Sequence, residues 1–322
     1  MPSRELTPAQ ARDALLPETP ASFAPSTVDE QQQLGALVDT LVTNARTDRE
    51  LEDAPARARA LGFHVEAWQV GDQRFWALLE APEARRGAGA YVVRVGPATT
   101  GAEIVLQAPH TFYDLGTGDI AARLFFSSSA GAHVRALFVN TAHRYGGPRQ
   151  APPPGEHSDS DLCHITDHVF QDATRAAAEA VGATIVVQLH GFSDAPELPE
   201  AILSSGQREA SSPLVHALSR ELEPVLGKVR RYPEDIAKLG ATTNTQGKLL
   251  AGYPDARFVH IELSAGTRDR LRDSDELMAD FGEIALADRD LDGERIEHAP
   301  DADADVPRGA GAGEGAAPAP ER

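Results

Sequence analysis

The chain has 322 residues and a formal net charge of -19, with 49 Asp and Glu residues against 30 Lys and Arg. This acidity argues against nucleic-acid binding and disfavours an anionic membrane surface, because both need clustered Lys and Arg. The single cysteine, Cys163, excludes an intramolecular disulfide framework and any zinc site built from several cysteines.

The N-terminal segment shows little sign of regular structure. Residues 1–26 are rich in Pro and Ala without clear periodicity, so we predict a mobile leader. They lack the apolar core of a signal peptide, and no later run reaches the roughly 18 apolar residues of a membrane helix. We therefore expect a soluble protein, cytoplasmic by default, although a chain without its native signal peptide would look the same.

The first clear helix begins at a capping-box pattern formed by Thr27 and Glu30. Apolar residues follow at helical spacing, which predicts an amphipathic helix: Leu34, Leu37, Val38, Leu41 and Val42. The pattern then changes to strands at residues 63–70, 75–80, 91–95 and 103–107, separated by turn signals. Several strands in a row before the next helix predict an antiparallel flank on the sheet.

Strands and helices alternate in the second half of the chain. A helix-like pattern begins near Asp119, and further strands are predicted at residues 134–140, 183–189 and 257–263. Helices are predicted over residues 167–181 with Thr166 as N-cap, from Ser212-Pro213, and after Ser274. Residues 264–267 are predicted to turn the chain.

This order of elements predicts an α/β fold, a three-layer α/β/α arrangement with a mixed, mostly parallel sheet. We expect one domain over residues 27–286, with the first helix and the antiparallel flank in residues 27–102 and the core in residues 103–286. Residues 287–322 are predicted to be a disordered acidic tail. Within it, residues 288–293 match the first half of an EF-hand loop, but Ala299 replaces the closing Glu, so calcium is only an alternative.

Three predicted strands end in ionisable residues, namely His110, His190 and Glu262. The carboxyl ends of parallel strands lie along one edge of a sheet, so these residues can converge on one crevice. Two His and one carboxylate can hold zinc and leave a position for water, and a further carboxylate can act as general base. From the residues alone, Asp114 and Asp119 both remain candidates for the carboxylate ligand, and each histidine could instead be structural.

Other chemistry-bearing residues leave alternatives open. A polar loop with His157, Asp159, Asp161 and His164 could form a second metal site or simply precede a helix. Cys163 could be a thiol nucleophile, although a buried, inert cysteine is the simpler interpretation. Five arginines flank the predicted sheet edge and could clamp a substrate carboxylate or lie on the surface: Arg144, Arg149, Arg268, Arg270 and Arg272.

Four short motifs occur in a recognisable order: APHTFYDLGTGDIA at residues 108–121, CHIT at 163–166, VQLHG at 187–191, and HIELS at 260–264 followed by Arg268. Together they resemble the phage-type poly-γ-glutamate hydrolases. These enzymes belong to the wider zinc carboxypeptidase-like group, to which the N-formylglutamate amidohydrolases are also similar. The resemblance covers residues 103–272 and implies a zinc-carboxypeptidase-like fold.

The resemblance also implies roles for individual residues. It makes His110, Asp114 and His190 the zinc ligands and Glu262 the general base, and we assign substrate binding to Arg144, His164 and Arg268. The chain departs from the family where Thr111, Phe112 and Tyr113 replace a glycine-rich loop and the acidic ligand is a shorter Asp. The pocket, and therefore the substrate, is expected to differ.

The sequence thus predicts a zinc-dependent hydrolase of an amide or peptide bond. A small peptide or an N-acyl amino acid, with a γ-glutamyl bond among the options, is the expected substrate. The alternative is a non-catalytic metal-binding or ligand-binding protein on the same fold. The sequence does not determine the oligomeric state.

Overall fold

The computed structural model describes residues 2–127, 133–147, 153 and 156–296. Within them, ten strands form one sheet: β1 (Ser3–Leu6), β2 (Phe63–Val70), β3 (Gln73–Glu80), β4 (Ala90–Val95), β5 (Glu103–Ala108), β6 (Val134–Val139), β7 (Thr184–Phe192), β8 (Ala201–Ser204), β9 (Val229–Arg231) and β10 (Ala256–Ser264). The helices are α1 (Pro8–Leu15), α2 (Val28–Thr47), α3 (Ala54–Ala60), α4 (Thr117–Phe126), α5 (Val169–Val181), α6 (Pro213–Leu226), α7 (Thr245–Leu250), α8 (Ala265–Asp273) and α9 (Asp275–Ala285).

The sheet is mixed, with the order β1-β2-β3-β4-β6-β5-β7-β10-β8-β9. Its centre, β6-β5-β7-β10, is parallel, whereas β2, β3 and β4 form the predicted antiparallel flank and β8 pairs antiparallel with β10. The predicted α/β fold with a mixed, mostly parallel sheet is confirmed.

Two apolar clusters lie on opposite faces of the sheet and make the arrangement three-layered. One is formed with α1, α4, α6, α8 and α9, and the other with α2, α3, α5 and α7. Strand alternation divides β10 between them: Val259, Ile261 and Leu263 belong to the first cluster and Phe258 to the second. The even-numbered positions that continue from Phe258 therefore face the α5 side.

Local capping explains where the helices begin. The predicted capping box is present at α2, because the Thr27 hydroxyl accepts the Glu30 backbone N–H and the Glu30 carboxylate accepts the Thr27 N–H. Ser212 and Ser274 cap α6 and α9 as predicted. The N-cap of α5 is His168, so the prediction of Thr166 as N-cap is wrong by two residues. Ser264 starts α8 where only a turn was predicted.

The prediction of a mobile leader is wrong. Residues 3–6 add β1 to the sheet beside β2, and Thr7 with Gln10 forms a capping box for α1. Leu15 is 1% exposed within the first apolar cluster. The Pro-rich composition conceals a short helix whose apolar residues can be buried only because the sheet provides a surface for them.

The first residues of the predicted tail are ordered. Arg289 is buried, and its guanidinium donates to both carboxylate oxygens of Glu221 at 3.1 and 2.7 Å. Asp290, part of the EF-hand-like pattern, accepts the backbone N–H groups of Asp292 and Glu294 at 2.9 Å each. Its carboxylate therefore stabilises its own turn. Residues 297–322 lie outside the described part of the chain.

None of the described helices has the length and apolar character needed to cross a membrane.

Leu15→Ala tests whether the N-terminal segment is part of the fold. Truncation of this buried side chain should lower the free energy of unfolding by about 2–5 kcal/mol, because it removes apolar contact and leaves a cavity. Urea denaturation measures the change. Val28, 65% exposed, provides the control: Val28→Ala should change stability by less than about 0.5 kcal/mol. Equal stability of the Leu15→Ala protein and the wild type would contradict the docking of this segment.

The N-cap of α5 is a buried histidine with a perturbed titration. His168 Nδ1 accepts the Phe170 backbone N–H at 3.0 Å, and its ring stacks on Phe23. Burial lowers the pKa of His168 to about 4, and a backbone hydrogen bond to Gly87 offsets this only in part. The folded protein therefore holds this imidazole neutral.

Stability should consequently fall as the pH is lowered from 6.5 to about 4, because the unfolded chain binds a proton on His168 that the folded chain rejects. The stability that the neutral His168 contributes is fully present above pH 6.5. Its complete loss below about pH 4 lowers the free energy of unfolding by about 3 kcal/mol. His168→Asn keeps a side-chain acceptor for the helix N-terminus and should flatten this part of the pH profile. An unchanged slope in denaturation measurements across that range would contradict the assignment.

Candidate functional site

The predicted site residues lie at the carboxyl ends of three adjacent parallel strands. His110 follows β5, His190 lies in β7, and Glu262 lies in β10 directly opposite His190 in the strand register. Two residues before His190, Gln188 is paired with His260 of β10 on one side and with Gln107 of β5 on the other. The topology thus brings together residues that are 152 positions apart in the chain.

Two imidazoles meet one carboxylate at the centre of the site. The Asp114 Oδ2 atom is 3.3 Å from His110 Nδ1 and 3.2 Å from His190 Nδ1. The two rings are edge to face, with centroids 4.8 Å apart. All three side chains are buried. The structure therefore brings the three predicted zinc ligands together.

The opposite nitrogen of each imidazole has its own partner. His110 Nε2 lies 3.0 Å from Asp161 Oδ1, and His190 Nε2 lies 2.9 Å from Gln188 Oε1. Contacts of this kind fix ring orientation, and a carboxylate behind a histidine is a common support for a metal ligand. Here they direct both Nδ1 atoms at Asp114.

A tight turn carries Asp114 from the end of β5 to its position. The His110 carbonyl accepts the backbone N–H groups of Tyr113 and Asp114 at 2.8 Å each, and the Thr117 hydroxyl donates to the Asp114 carbonyl at 2.8 Å. Gly118 at the start of α4 permits this turn to close, because a Cβ there would lie 2.5 Å from Thr111 Cγ2. Asp119, the other candidate acid, lies in the first turn of α4.

Arg268 holds the edges of the site together by binding backbone carbonyls. Its guanidinium donates to the carbonyl of Leu115 at 2.8 Å, that of Phe192 at 3.2 Å, and that of Leu263. Gly191 makes room for it, since a Cβ at that position would lie 2.1 Å from Arg268 Nη1. The structure thus gives Arg268 a positioning contact, and its assignment to substrate binding remains a prediction.

Asp161 connects the proposed substrate-binding residues to a proposed metal ligand. Its Oδ2 accepts two hydrogen bonds from Arg144, at 3.0 and 2.9 Å, and its Oδ1 lies 3.0 Å from His164 Nδ1 as well as contacting His110. Burial would raise the pKa of Asp161, but hydrogen bonds with His110 and His164 and the charge of Arg144 hold it far below its usual range.

Glu262 lies beside His260 on the same face of β10. Its Oε1 is 3.6 Å from His260 Nε2, whereas its Oε2 is buried without a hydrogen-bond partner. Burial raises the pKa of Glu262 to about 7. Burial, reinforced by the nearby charge of His190, lowers the pKa of His260 well below its ordinary value.

The central side chains polarise one another electrostatically. Burial would raise the pKa of Asp114, but the neighbouring imidazoles of His110 and His190 hold it far below its usual range. Burial would lower the pKa of His190, but Cys163 and Asp114 raise it to about 9. Burial would raise the pKa of the Cys163 thiol, but the two histidines lower it to about 6.

The outer rim of the site is aromatic. Tyr113 is 46% exposed, and its ring packs edge-on against His143 and Tyr145. The Arg144 guanidinium lies 5.3 Å from the ring centroid of Tyr113 and 5.6 Å from that of Tyr145. The ring from the Thr-Phe-Tyr insert therefore stands at the rim and contributes to holding Arg144.

Among the described residues, three groups of potential donors have ligand atoms that all lie within 4.8 Å of one another: His110 with Cys163 and His190, His157 with Asp161 and His164, and His190 with His260 and Glu262. Asp114 is in none of these groups, although it contacts both central imidazoles. The second group coincides with the alternative metal site in the polar loop, but Arg144 neutralises its carboxylate.

The donor set fits a divalent metal. Zinc ligands about 2.0–2.2 Å from the ion are about 3.3 Å from each other in a tetrahedral site, which matches the distances from Asp114 Oδ2 to the two imidazole Nδ1 atoms. The three donors do not all lie within 4.8 Å of one another, so the two imidazoles would have to draw together around the ion. His110 Nδ1 is buried and makes no hydrogen bond, although Asp114 Oδ2 lies 3.3 Å away, and a buried nitrogen in this position is available to a metal. His110, Asp114 and His190 could hold the ion, with Glu262 close by.

Comparisons with known proteins show likeness only to solved structures. No family model matches the chain, and no curated protein matches it. One similar structure, from Shewanella denitrificans, is provisionally named carboxypeptidase A, with 14% identity, a TM-score of 0.40 and coverage of 63% of this chain and 60% of that chain. This chain thus spans about three fifths of that protein's length.

Two other structures are N-formylglutamate amidohydrolase from Ralstonia eutropha and succinylglutamate desuccinylase from Vibrio parahaemolyticus. The first has 15% identity, a TM-score of 0.36 and coverage of 59% of this chain and 94% of that chain. The second has 13% identity, a TM-score of 0.43 and coverage of 71% and 79%. None of the three is a poly-γ-glutamate hydrolase, and that narrower resemblance stays a prediction. The residues of the site are assigned on geometry.

Asp161→Asn tests the contacts that unite the site. The change removes the charge that His110, Arg144 and His164 share, and should lower the free energy of unfolding by about 3 kcal/mol, as expected when one partner of a buried ion pair is lost. Asp167 is exposed nearby, so Asp167→Asn serves as the control with little change expected. Equal urea midpoints for the two variants would show that Asp161 is not a structural centre.

Proposed function

We propose that this protein is a zinc-dependent hydrolase of an amide bond, with His110, Asp114 and His190 as metal ligands and Glu262 as general base. The observation that carries the proposal is the meeting of both imidazole Nδ1 atoms at one buried carboxylate oxygen, 3.3 and 3.2 Å away, beside a second buried carboxylate. A ligand set of two His and one carboxylate suits a catalytic zinc, because it leaves a coordination position for water.

Zinc, when bound, would acidify a water molecule and polarise the substrate carbonyl. The chain supplies the proton transfer. Glu262 would accept a proton from the attacking water through its unpartnered Oε2 and deliver it to the leaving nitrogen. His260 lies 3.6 Å from the other oxygen and would keep the carboxylate turned toward the site.

Substrate recognition is proposed to rest on Arg144 and His164. Asp161 orients Arg144 through Nε and Nη2, which leaves Nη1 without a hydrogen bond among the described residues. A guanidinium fixed in this way suits a carboxylate on the substrate. The His164 Nδ1 atom contacts the same Asp161 carboxylate, and its Nε2 atom forms a hydrogen bond of 3.1 Å with the Thr243 hydroxyl. The Nη1 atom of Arg144 favours an N-acyl amino acid or small peptide with a free carboxylate, which includes γ-glutamyl compounds.

The competing function is metal or ligand binding without turnover. Glu262 favours the enzyme, because a buried carboxylate oxygen without a partner is costly to maintain and a purely structural site has no use for it. The exposed position of Tyr113 is also consistent with a centre that its ring does not fill.

Glu262→Gln should separate metal binding from chemistry. The variant should retain the zinc content of the wild type and lose turnover by roughly 10²–10⁴-fold, since general-base assistance is removed while the ligands remain. Zinc is measured by elemental analysis of protein purified without added metal. Turnover is measured on a panel of N-acyl amino acids and γ-glutamyl peptides.

His190→Ala should lose the zinc as well as the activity, whereas His216→Ala, which alters an exposed histidine in α6, should lose neither. Zinc that remains at full stoichiometry in His190→Ala would refute the ligand assignment. Full turnover by Glu262→Gln would remove Glu262 from the mechanism. Stoichiometric zinc without hydrolysis of any amide in the panel would favour the binding protein.

A further inference from the structure

Cys163 occupies a position that the proposed reaction does not use. Its Sγ atom lies 3.6 Å from His190 Nε2 and 3.5 Å from Gln188 Oε1, and it is buried. It is therefore on the edge of the His190 ring opposite Asp114, which contacts Nδ1. His190 has a possible metal-binding partner at each of its two nitrogens.

The donors around Cys163 have the spacing of a metal site. The atoms offered by His110, Cys163 and His190 all lie within 4.8 Å of one another. In a tetrahedral zinc site with bonds of about 2.3 Å to sulfur and about 2.0–2.1 Å to nitrogen, those two ligands are about 3.6 Å apart, which is the separation between Cys163 and His190. The cluster thus offers two nitrogens and one sulfur, and a metal bound there would replace the 2.9 Å contact between His190 Nε2 and Gln188 Oε1.

The segment that carries Cys163 is held in place by its backbone. The Cys163 carbonyl accepts the Thr245 N–H at 2.8 Å, and the following N–H, that of His164, bonds to the Asp161 carbonyl at 2.9 Å. Gln188 is fixed too, because Asn244 Nδ2 donates to its Oε1 at 2.6 Å. The thiol is therefore presented to the histidines by a rigid framework.

We infer that Cys163 is a metal ligand in a second position on this histidine pair, which competes with the position at Asp114. The inference rests on the proposed binding of metal by His110 and His190. Metal binding at the second position converts the thiol to a thiolate and releases its proton to solvent. Sulfur favours softer ions, so zinc, cobalt and cadmium should populate this position and manganese or magnesium should not.

The test uses Co²⁺, whose absorption reports sulfur ligation. The purified, metal-stripped full chain is titrated with Co²⁺ and its spectrum is recorded in the near ultraviolet, where thiolate-to-cobalt charge transfer absorbs. Cys163 is the only cysteine, so a thiolate band has a single source. We expect the band in the wild type, its loss in Cys163→Ser, and its retention in Asp114→Asn. Cadmium affinity should fall by at least roughly tenfold in Cys163→Ser, with manganese affinity unchanged.

A wild-type cobalt spectrum without the thiolate band overturns the inference, whether or not the variants fold. Loss of cadmium affinity in Cys163→Ser without a thiolate band in the wild type also overturns the inference. The thiol would then only position His190 through its contact with Nε2 and would not bind the metal. The hydrolase proposal is judged separately. A thiolate band without amide hydrolysis leaves the sulfur position standing and rejects the enzyme, whereas hydrolysis without the band does the reverse.

Discussion

The carboxylate of Asp161 is the contact on which the arrangement of the candidate site depends. It accepts from His110 at the end of β5, from His164 in the loop before α5, and twice from Arg144 in the loop after β6. A carboxylate this deeply buried would be costly without such partners, and the equally buried His110 would in turn lose the partner of its Nε2 atom. Three separate chain segments are thereby held in one geometry.

Beneath this centre the sheet supplies a polar base that is hydrogen-bonded throughout. Gln107 donates to Thr174 of α5 and accepts from Gln188, which accepts from Asn244. Amides buried between apolar layers are stable only when they are satisfied in this way. The base fixes the height and direction of His190, and with it the side of the ring that each possible ligand can approach.

Most of the fold was predictable where local signals agree with tertiary structure. Apolar alternation located the central strands, and the hydroxyl caps at Thr27, Ser212 and Ser274 located helix starts. The N-terminal elements were not predicted, since β1 and α1 are ordered by the sheet they dock on rather than by their own composition. α8 was missed because its arginine-rich sequence shows little apolar periodicity.

The site was predictable in the same uneven way. His110, His190 and Glu262 stand at strand ends, so topology alone brings them near one another. Loop geometry and strand register place Asp161, Gln188 and Cys163 beside the two histidines, and the spacing of these residues in the sequence does not encode those contacts. The Gln188 position, two residues before His190 on the same strand face, was the one available signal. The position of Arg268 after the HIELS motif does not show whether its guanidinium binds backbone carbonyls or substrate.

The register between β7 and β10 has a consequence for how such a site can diversify. Because His190 and Glu262 are directly opposite on neighbouring strands, their separation is set by the repeat distance of the sheet, about 4.8 Å between backbones. Insertions in the loops around Tyr113 or Tyr145 can reshape the rim without altering that spacing. The range of ligands that the opening admits can therefore change while the backbone distance between His190 and Glu262 stays constant.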